Sequence, residues 1–155
     1  MEHAIFAIGK WKRAPEKQLF GHYHSRMREL FMLKELNGFP KLDAKQRRIQ
    51  ETALLFQSAK EWGAGIIYAL DETGKSLNSV TLAHKLQELQ DSGNRKIAWL
   101  IGGDVGFDKS QLKQSHMLLS LGNMTWPHLL VRVLLTEQIY RAYTINVNHP
   151  YHRDN

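Results

Sequence analysis

The sequence predicts an α/β fold with a mostly parallel sheet. Continuous apolar runs at 3–9, 66–70 and 96–101, each closed by glycine or by an acidic turn, read as buried strands. Between them, apolar residues at three- and four-residue spacing read as helices. Strand and helix alternate along the chain, the pattern of parallel strands joined by crossover helices. With no internal repeat and no low-complexity linker, residues 1–155 are expected to form one domain.

The elements follow in order. His3-Ala4-Ile5-Phe6-Ala7-Ile8-Gly9 is the first strand. Pro15 suits the first position of a helix, where a missing N–H costs nothing, and Leu19, Tyr23, Met27 and Leu30 make its apolar stripe with Arg26 and Arg28 off it. Residues 31–36 either continue that helix or form a strand ended by Asn37-Gly38; the strand is preferred. A helix over 43–62 turns Ile49, Ala53 and Phe56 inward and stops at Gly63-Ala64-Gly65. Residues 66–70 form a central strand and 71–75 a surface loop. Leu82, Leu86 and Leu89 define a helix over 79–90, and 96–101 is a further buried strand, closed by Gly102-Gly103-Asp104-Val105-Gly106. Pro127 opens a last helix reaching about Tyr143, apolar on every side of its first half, which implies burial in a core or a subunit interface.

Composition excludes several classes. The 155 residues are 43% hydrophobic and 23% charged, values of a soluble folded domain rather than a disordered chain. A chain of this length buries roughly 70% of its unfolded surface, enough for a core without staples. There is no cysteine, so thiolate nucleophiles, zinc ribbons and iron–sulfur sites are removed, and a reducing compartment fits. The apolar run at 4–8 is too short for a secretion signal, and nothing approaches the ~20 apolar residues of a membrane span. The expected location is the cytoplasm.

Charge narrows the partner. Net charge is +6, and between Lys10 and Arg48 eleven basic residues face four acidic ones, leaving the remainder of the chain at −1. A local basic segment is either a solvated helix face or the footprint of a polyanion such as RNA, whose binding is driven by counterion release. Arg13, Arg47 and Arg48 are the RNA-binding candidates within it.

The glycine loop at 102–106 follows a predicted strand, where open α/β sheets place ligands. It does not carry the dinucleotide fingerprint, and no phosphate-binding P-loop is present. Gly102-Gly103 is thus either a tight turn or a backbone that a ligand approaches closely. Arg132, Glu137 and Arg141 lie in the apolar last helix and need partners there; the four-residue spacing of Glu137 and Arg141 permits an ion pair, structural or catalytic. The tail Asn148-His149-Pro150-Tyr151-His152-Arg153 makes a poor core segment and a good contact for a base or phosphate. Neither His149 with His152 nor His22 with His24 has the further ligands a metal demands, so no metal is expected.

Several stretches together resemble one family. Leu100-Ile101-Gly102-Gly103, Ser120-Leu121-Gly122-Asn123-Met124-Thr125-Trp126-Pro127-His128, Leu130-Val131-Arg132-Val133-Leu134, Glu137-Gln138-Ile139-Tyr140-Arg141-Ala142 and His149-Pro150-Tyr151-His152-Arg153 are similar to the bacterial large-subunit ribosomal RNA pseudouridine N3-methyltransferases, the RlmH family of SPOUT-class enzymes. Ala7-Ile8-Gly9 and Leu70-Asp71-Glu72-Thr73-Gly74-Lys75 extend the resemblance over nearly the whole chain. It implies a SPOUT-type α/β knot with a C-terminal trefoil knot, S-adenosylmethionine as cofactor, rRNA in the large subunit as substrate, and a homodimer. Position by position it places the cofactor at Leu70, Gly103, Gly122, Asn123, Met124, Thr125, Trp126 and Pro127. Asp104-Val105 departs from the family's usual loop.

Methylation of a pseudouridine N3 removes a proton from a weakly acidic imide, so the protein must orient the base and stabilise an anion. Tyr151, His152 and Arg153 are the catalytic candidates, with His152, His149 or His128 available as base and Asn148 as an acceptor for the N1–H that distinguishes pseudouridine. Two other readings compete: a catalytically silent RNA-binding or ribosome-associated module, and a SPOUT enzyme with another RNA target.

Overall fold

The computed structural model describes residues 1–27 and 31–153. Its elements run β1 (Glu2–Ile8), α1 (Pro15–His24), β2 (Phe31–Leu36), α2 (Ala44–Glu61), β3 (Ile66–Ser76), α3 (Ser79–Asp91), β4 (Lys96–Ile101), a 3₁₀ helix (Lys109–Gln114), β5 (Met117–Ser120) and α4 (His128–Asn146). The five strands form one sheet in the order β2-β1-β4-β3-β5, and every neighbouring pair is parallel. All carboxyl ends therefore share one edge.

Alternate residues of β1 and β4 serve two cores, because successive strand side chains point to opposite faces. Phe6 and Leu100 meet Leu55 and Phe56 of α2 on one face. Ile5 and Trp99 meet Leu82 of α3 and Leu135 and Ile139 of α4 on the other, where α1 also packs on α4. The helices begin where capping chemistry permits: Asp43 accepts from the Gln46 N–H at 2.9 Å and Asn78 from the Thr81 N–H at 2.8 Å. Residues 31–36 are indeed a strand, paired with β1 from His3 opposite Phe31 to Ile8 opposite Leu36.

Three expectations change. Helix α1 ends at His24, and Phe20 rather than Leu19 is its buried residue; Arg28 and Leu30 lie outside the described residues. In α2 the buried stripe is Thr52, Leu55, Phe56 and Ala59, while Ile49 and Ala53 face solvent. The polar start of that stripe, Glu51 and Thr52, disguised its true face. Residues 71–76 are not a free loop: after a register shift between Leu70 and Lys75 they pair again with β5, Lys75 opposite Leu119 and Ser76 opposite Ser120. Strand β5 itself, at four residues, gave no separate sequence signal.

Helix α4 ends in a sharp reversal. Asn148 adopts φ 54°, the His149 N–H donates to the Thr144 carbonyl at 2.8 Å and the Asn148 N–H to that of Ile145 at 3.1 Å. This is a left-handed helix stop with asparagine in the place glycine usually takes, and it sends the tail back along the helix.

Candidate active site at the carboxyl edge of the sheet

A cleft of about 870 Å³ opens at the carboxyl ends of β3, β4 and β5, within the range of small-molecule sites. Leu70, Ile101 and Leu119 form its apolar floor, Asp71 and Glu72 line one wall, the loop at 102–107 another, and His128 and Val131 of α4 close it. Of the eight predicted cofactor residues, seven line this cleft: Leu70, Gly103, Gly122, Met124, Thr125, Trp126 and Pro127. Asn123 is exposed in the same loop without being part of the lining.

The loop after β5 is shaped by its glycine and tied at both ends. Gly122 has φ 113°, a conformation that side chains oppose, and its N–H donates to Ser120 Oγ at 3.1 Å. Further on, Thr125 Oγ1 donates to Glu72 Oε2 at 3.2 Å, joining this loop to β3. Met124 and Trp126 stand 74% and 40% exposed at the mouth, which makes them contacts in waiting rather than core.

Gly103 lines the cleft and also lets its loop pack inward. A Cβ there would point away from the cleft, meeting the Ile8 side chain at 3.2 Å and Glu51 Oε2 at 3.3 Å. Glycine thus lets the loop lie down on β1 and α2, and a Cβ at Gly102 would likewise press on the Phe107 ring at 3.3 Å. The loop is held from outside by Arg47, whose Nη2 lies 2.6 Å from Asp104 Oδ1 and whose Nε lies 3.3 Å from Glu51 Oε1. Hydrogen bonding to Arg47 holds the Asp104 carboxyl below its ordinary range. Glu51 Oε1 also accepts the Phe39 N–H at 3.1 Å.

The three RNA-binding candidates are therefore dispersed. Arg13 is exposed before α1, Arg47 is committed to two carboxylates, and Arg48 lines the cleft itself.

Two groups shape the cleft's electrostatics: Asp71, which no sequence pattern marked, and His128, one of the candidate bases. Asp71 is raised by burial but lowered more by hydrogen bonds from Lys109 and Thr73, so it stays a carboxylate. His128 is pushed down by burial and then by the charge of Arg132, with Asp104 opposing, which keeps its imidazole neutral near pH 7. Arg132 is fully buried; its Nη2 donates to the Ile8 and Gly9 carbonyls at 2.8 and 2.9 Å and its guanidinium lies 4.8 Å from the Trp11 ring centroid. It caps the end of β1 with carbonyls and an aromatic face in place of a carboxylate.

The catalytic candidates lie elsewhere. Tyr151 Oη donates to Glu137 Oε1 at 3.0 Å, the same oxygen that Arg141 binds at 2.6 and 2.9 Å, and Arg141 Nη1 contacts His152 Nδ1 at 3.3 Å. The Tyr151 ring packs edge-on against Tyr140, centroids 4.8 Å apart. Burial, then the bond to Glu137, pushes the Tyr151 phenol up to about 12, so it remains a donor. Arg153 is exposed. Glu137 lies nine residues beyond His128, about 13 Å along the helix at 1.5 Å per residue, so this tail does not enter its own cleft.

Comparison with known proteins shows the family. The family model described as "Predicted SPOUT methyltransferase" matches residues 1–152. The chain belongs to the SPOUT methyltransferase family. Among curated SPOUT relatives, "Ribosomal RNA large subunit methyltransferase H" of Paramagnetospirillum magneticum is 43% identical over 153 residues, covering 99% of both chains. The protein of the same name from Rhizobium johnstonii is 39% identical over 161 residues, again covering 99% of each. A solved structure of a probable methylase family protein from Haemophilus influenzae shares the fold at TM-score 0.57 and 12% identity, over 98% of this chain and 70% of that one. Among the described residues of this SPOUT chain no helix is long and apolar enough to cross a membrane, and no group of three or more His, Cys, Asp or Glu is placed to hold a metal.

Proposed function

We propose that the protein is an S-adenosylmethionine-dependent methyltransferase of large-subunit ribosomal RNA that acts on N3 of a pseudouridine, as a cytoplasmic homodimer of single-domain chains with the knotted C-terminal part of its class. The observation that carries the reading is the cleft. Segments 70–72, 102–107 and 121–127 converge on it, and they include the stretches on which the family resemblance rests.

The residues present fit the cofactor. The apolar floor of Leu70, Ile101 and Leu119 suits an adenine ring, the glycine loop offers bare backbone, and the Asp71 and Glu72 carboxylates complement a cationic sulfonium and amino group. S-adenosylmethionine supplies an electrophilic methyl group when bound. The protein supplies the rest. His128, neutral and at the cleft wall, takes the N3 proton as the imide is methylated. Arg153 offsets the developing imide charge, Tyr151 and His152 frame the base, and Arg48 at the rim receives a phosphate.

The tail reaches a cleft by way of the second protomer. Met124 and Trp126 at the mouth, together with the partly exposed Leu129, Leu130 and Leu134 of α4, supply apolar surface for such a partner.

Titration calorimetry with S-adenosylmethionine, followed by transfer of a labelled methyl group to large-subunit rRNA or intact ribosomes, tests the reading. Saturable binding with transfer to one nucleotide is expected. A protein that binds RNA but no cofactor is the silent module instead, and transfer to another RNA reassigns the target.

A further inference from the structure

A second hollow, of about 770 Å³, lies beside the cleft. Four lysines from three elements converge on it: Lys75 of β3, Lys85 of α3, and Lys109 and Lys113 of the 3₁₀ helix. Lys109 lines both hollows and is paired with Asp71 at 2.5 Å. For Lys75, Lys85 and Lys113 there is no ion pair within 4.0 Å among the described residues. Glu88 of α3 is a further acid beside the lining, its charge adding to burial in raising the Tyr68 phenol. Three lysines without an ion pair on one concave surface concentrate positive charge there, and none of the three belongs to the basic segment between Lys10 and Arg48.

The two hollows share a wall, which is β3. Residues 70–72 line the cleft and 73–75 line the lysine hollow, so the two hollows meet on consecutive residues of one strand. Gly74 lets this stretch of β3 lie close on β5, since a Cβ there would meet the Leu118 carbonyl carbon and oxygen at 2.6 and 2.7 Å. A strand of RNA with its target base in the cleft carries its neighbouring phosphates across this wall.

We infer that the lysine hollow grips the backbone phosphates of the RNA strand next to the target nucleotide, with Lys75, Lys85 and Lys113 as the contacts. The inference rests on the proposed RNA substrate. It places a large part of the electrostatic grip on the β3 side of the cleft, where the charge distribution along the sequence shows no basic excess.

The test is the full-length triple variant Lys75→Gln, Lys85→Gln, Lys113→Gln beside the corresponding arginine triple. Lys109 stays untouched because it belongs to the cleft. Binding of large-subunit rRNA is measured from 50 to 200 mM salt, with cofactor affinity and methyl transfer read in parallel. The glutamine triple is expected to flatten the log–log salt slope by about two, at roughly 0.7 per single-strand phosphate contact. KM for RNA rises about tenfold, while kcat and cofactor affinity hold, and the arginine triple keeps the wild-type slope. An unchanged slope in the glutamine triple, with an active wild type, overturns the hollow as an RNA contact. So does a glutamine triple that sediments at a different oligomeric state from wild type, since the hollow is then an interface between copies. A wild type that neither binds cofactor nor transfers a methyl group defeats the functional reading and this inference with it.

Discussion

Arg47 on the first turns of α2 reaches across 57 residues of sequence to Asp104 at the tip of the loop after β4, Nη2 to Oδ1 2.6 Å. One guanidinium thus pins the glycine loop to a helix while also touching Glu51 beneath it. Asp104 is largely exposed, so the pair adds little to global stability, of the order of 0–1 kcal/mol. Its effect is local, on where the loop sits relative to the cleft. Arg47→Gln is expected to weaken S-adenosylmethionine binding several-fold while shifting the thermal midpoint by no more than a few degrees. Because Arg47 is already neutralised, the salt slope of RNA binding stays as in wild type. Calorimetry and a salt series on the same variant measure both; a flattened slope would make Arg47 an RNA contact after all.

Gly103→Val provides a second prediction. The first carbon added already meets Ile8 and Glu51 at 3.2 to 3.4 Å, and two more methyls deepen the intrusion into a packed region. Overpacking of this kind costs about 1–3 kcal/mol. Urea unfolding is expected to show that loss, with cofactor binding weakened as the loop lifts. Full stability in the variant would mean that the loop has room to move outward.

His3 gives the fold a pH dependence that can be isolated. Its ring stacks on Trp99, centroids 6.0 Å apart, and its Nδ1 accepts the Trp99 indole N–H at 3.2 Å. Burial, helped by the nearby amino terminus, pushes its pKa down from 6.5 to about 3. The folded state thus keeps this imidazole neutral where the unfolded chain takes up a proton. Stability contributed by the neutral ring is present above pH 6.5 and is lost as pH falls toward 3, at up to about 1.4 kcal/mol per pH unit. Between pH 6.5 and 5, His3→Gln, which keeps an acceptor for Trp99, is expected to flatten the decline in the urea midpoint. Parallel declines in variant and wild type would assign the effect to other groups.

How much of this was legible in the sequence depends on the kind of signal involved. Strands β1 and β4 are unbroken apolar runs buried on both faces, and Leu82 and Leu86 repeat at helical spacing, so periodicity alone located them. The face of α2 was misread because its buried side opens with Glu51 and Thr52. Those two serve loops rather than the core: Glu51 accepts the Phe39 N–H, and Thr52 Oγ1 accepts the Asp108 N–H at 2.9 Å. Cleft segments 102–106 and 121–127 announced themselves by glycine and proline. The links that shape them, Arg47 to Asp104 and Thr125 to Glu72, are 57 and 53 residues apart, beyond any local pattern. The lysine hollow was invisible for the same reason, since three separate elements assemble it.

The last prediction concerns which cleft each tail serves. In its own chain the tail folds back on α4 through Tyr151 and Glu137, about 13 Å along the helix from the His128 end where the cleft lies. If Arg153 acts in the chemistry, it acts on the partner's cleft, and two defective chains can complement each other. The cleft defect is best made at Gly122, where φ 113° opposes any side chain but a Cβ has open space, so the loop distorts without disturbing the core. Gly122→Val and Arg153→Ala are each expected to abolish methyl transfer in homodimers. Co-expressed with different tags and purified as the mixed dimer, they place both defects in one site and leave the other intact. Activity close to half that of wild type is the expected outcome. A mixed dimer as silent as its parents would put each tail on its own cleft and require the tail to leave Glu137 during the reaction.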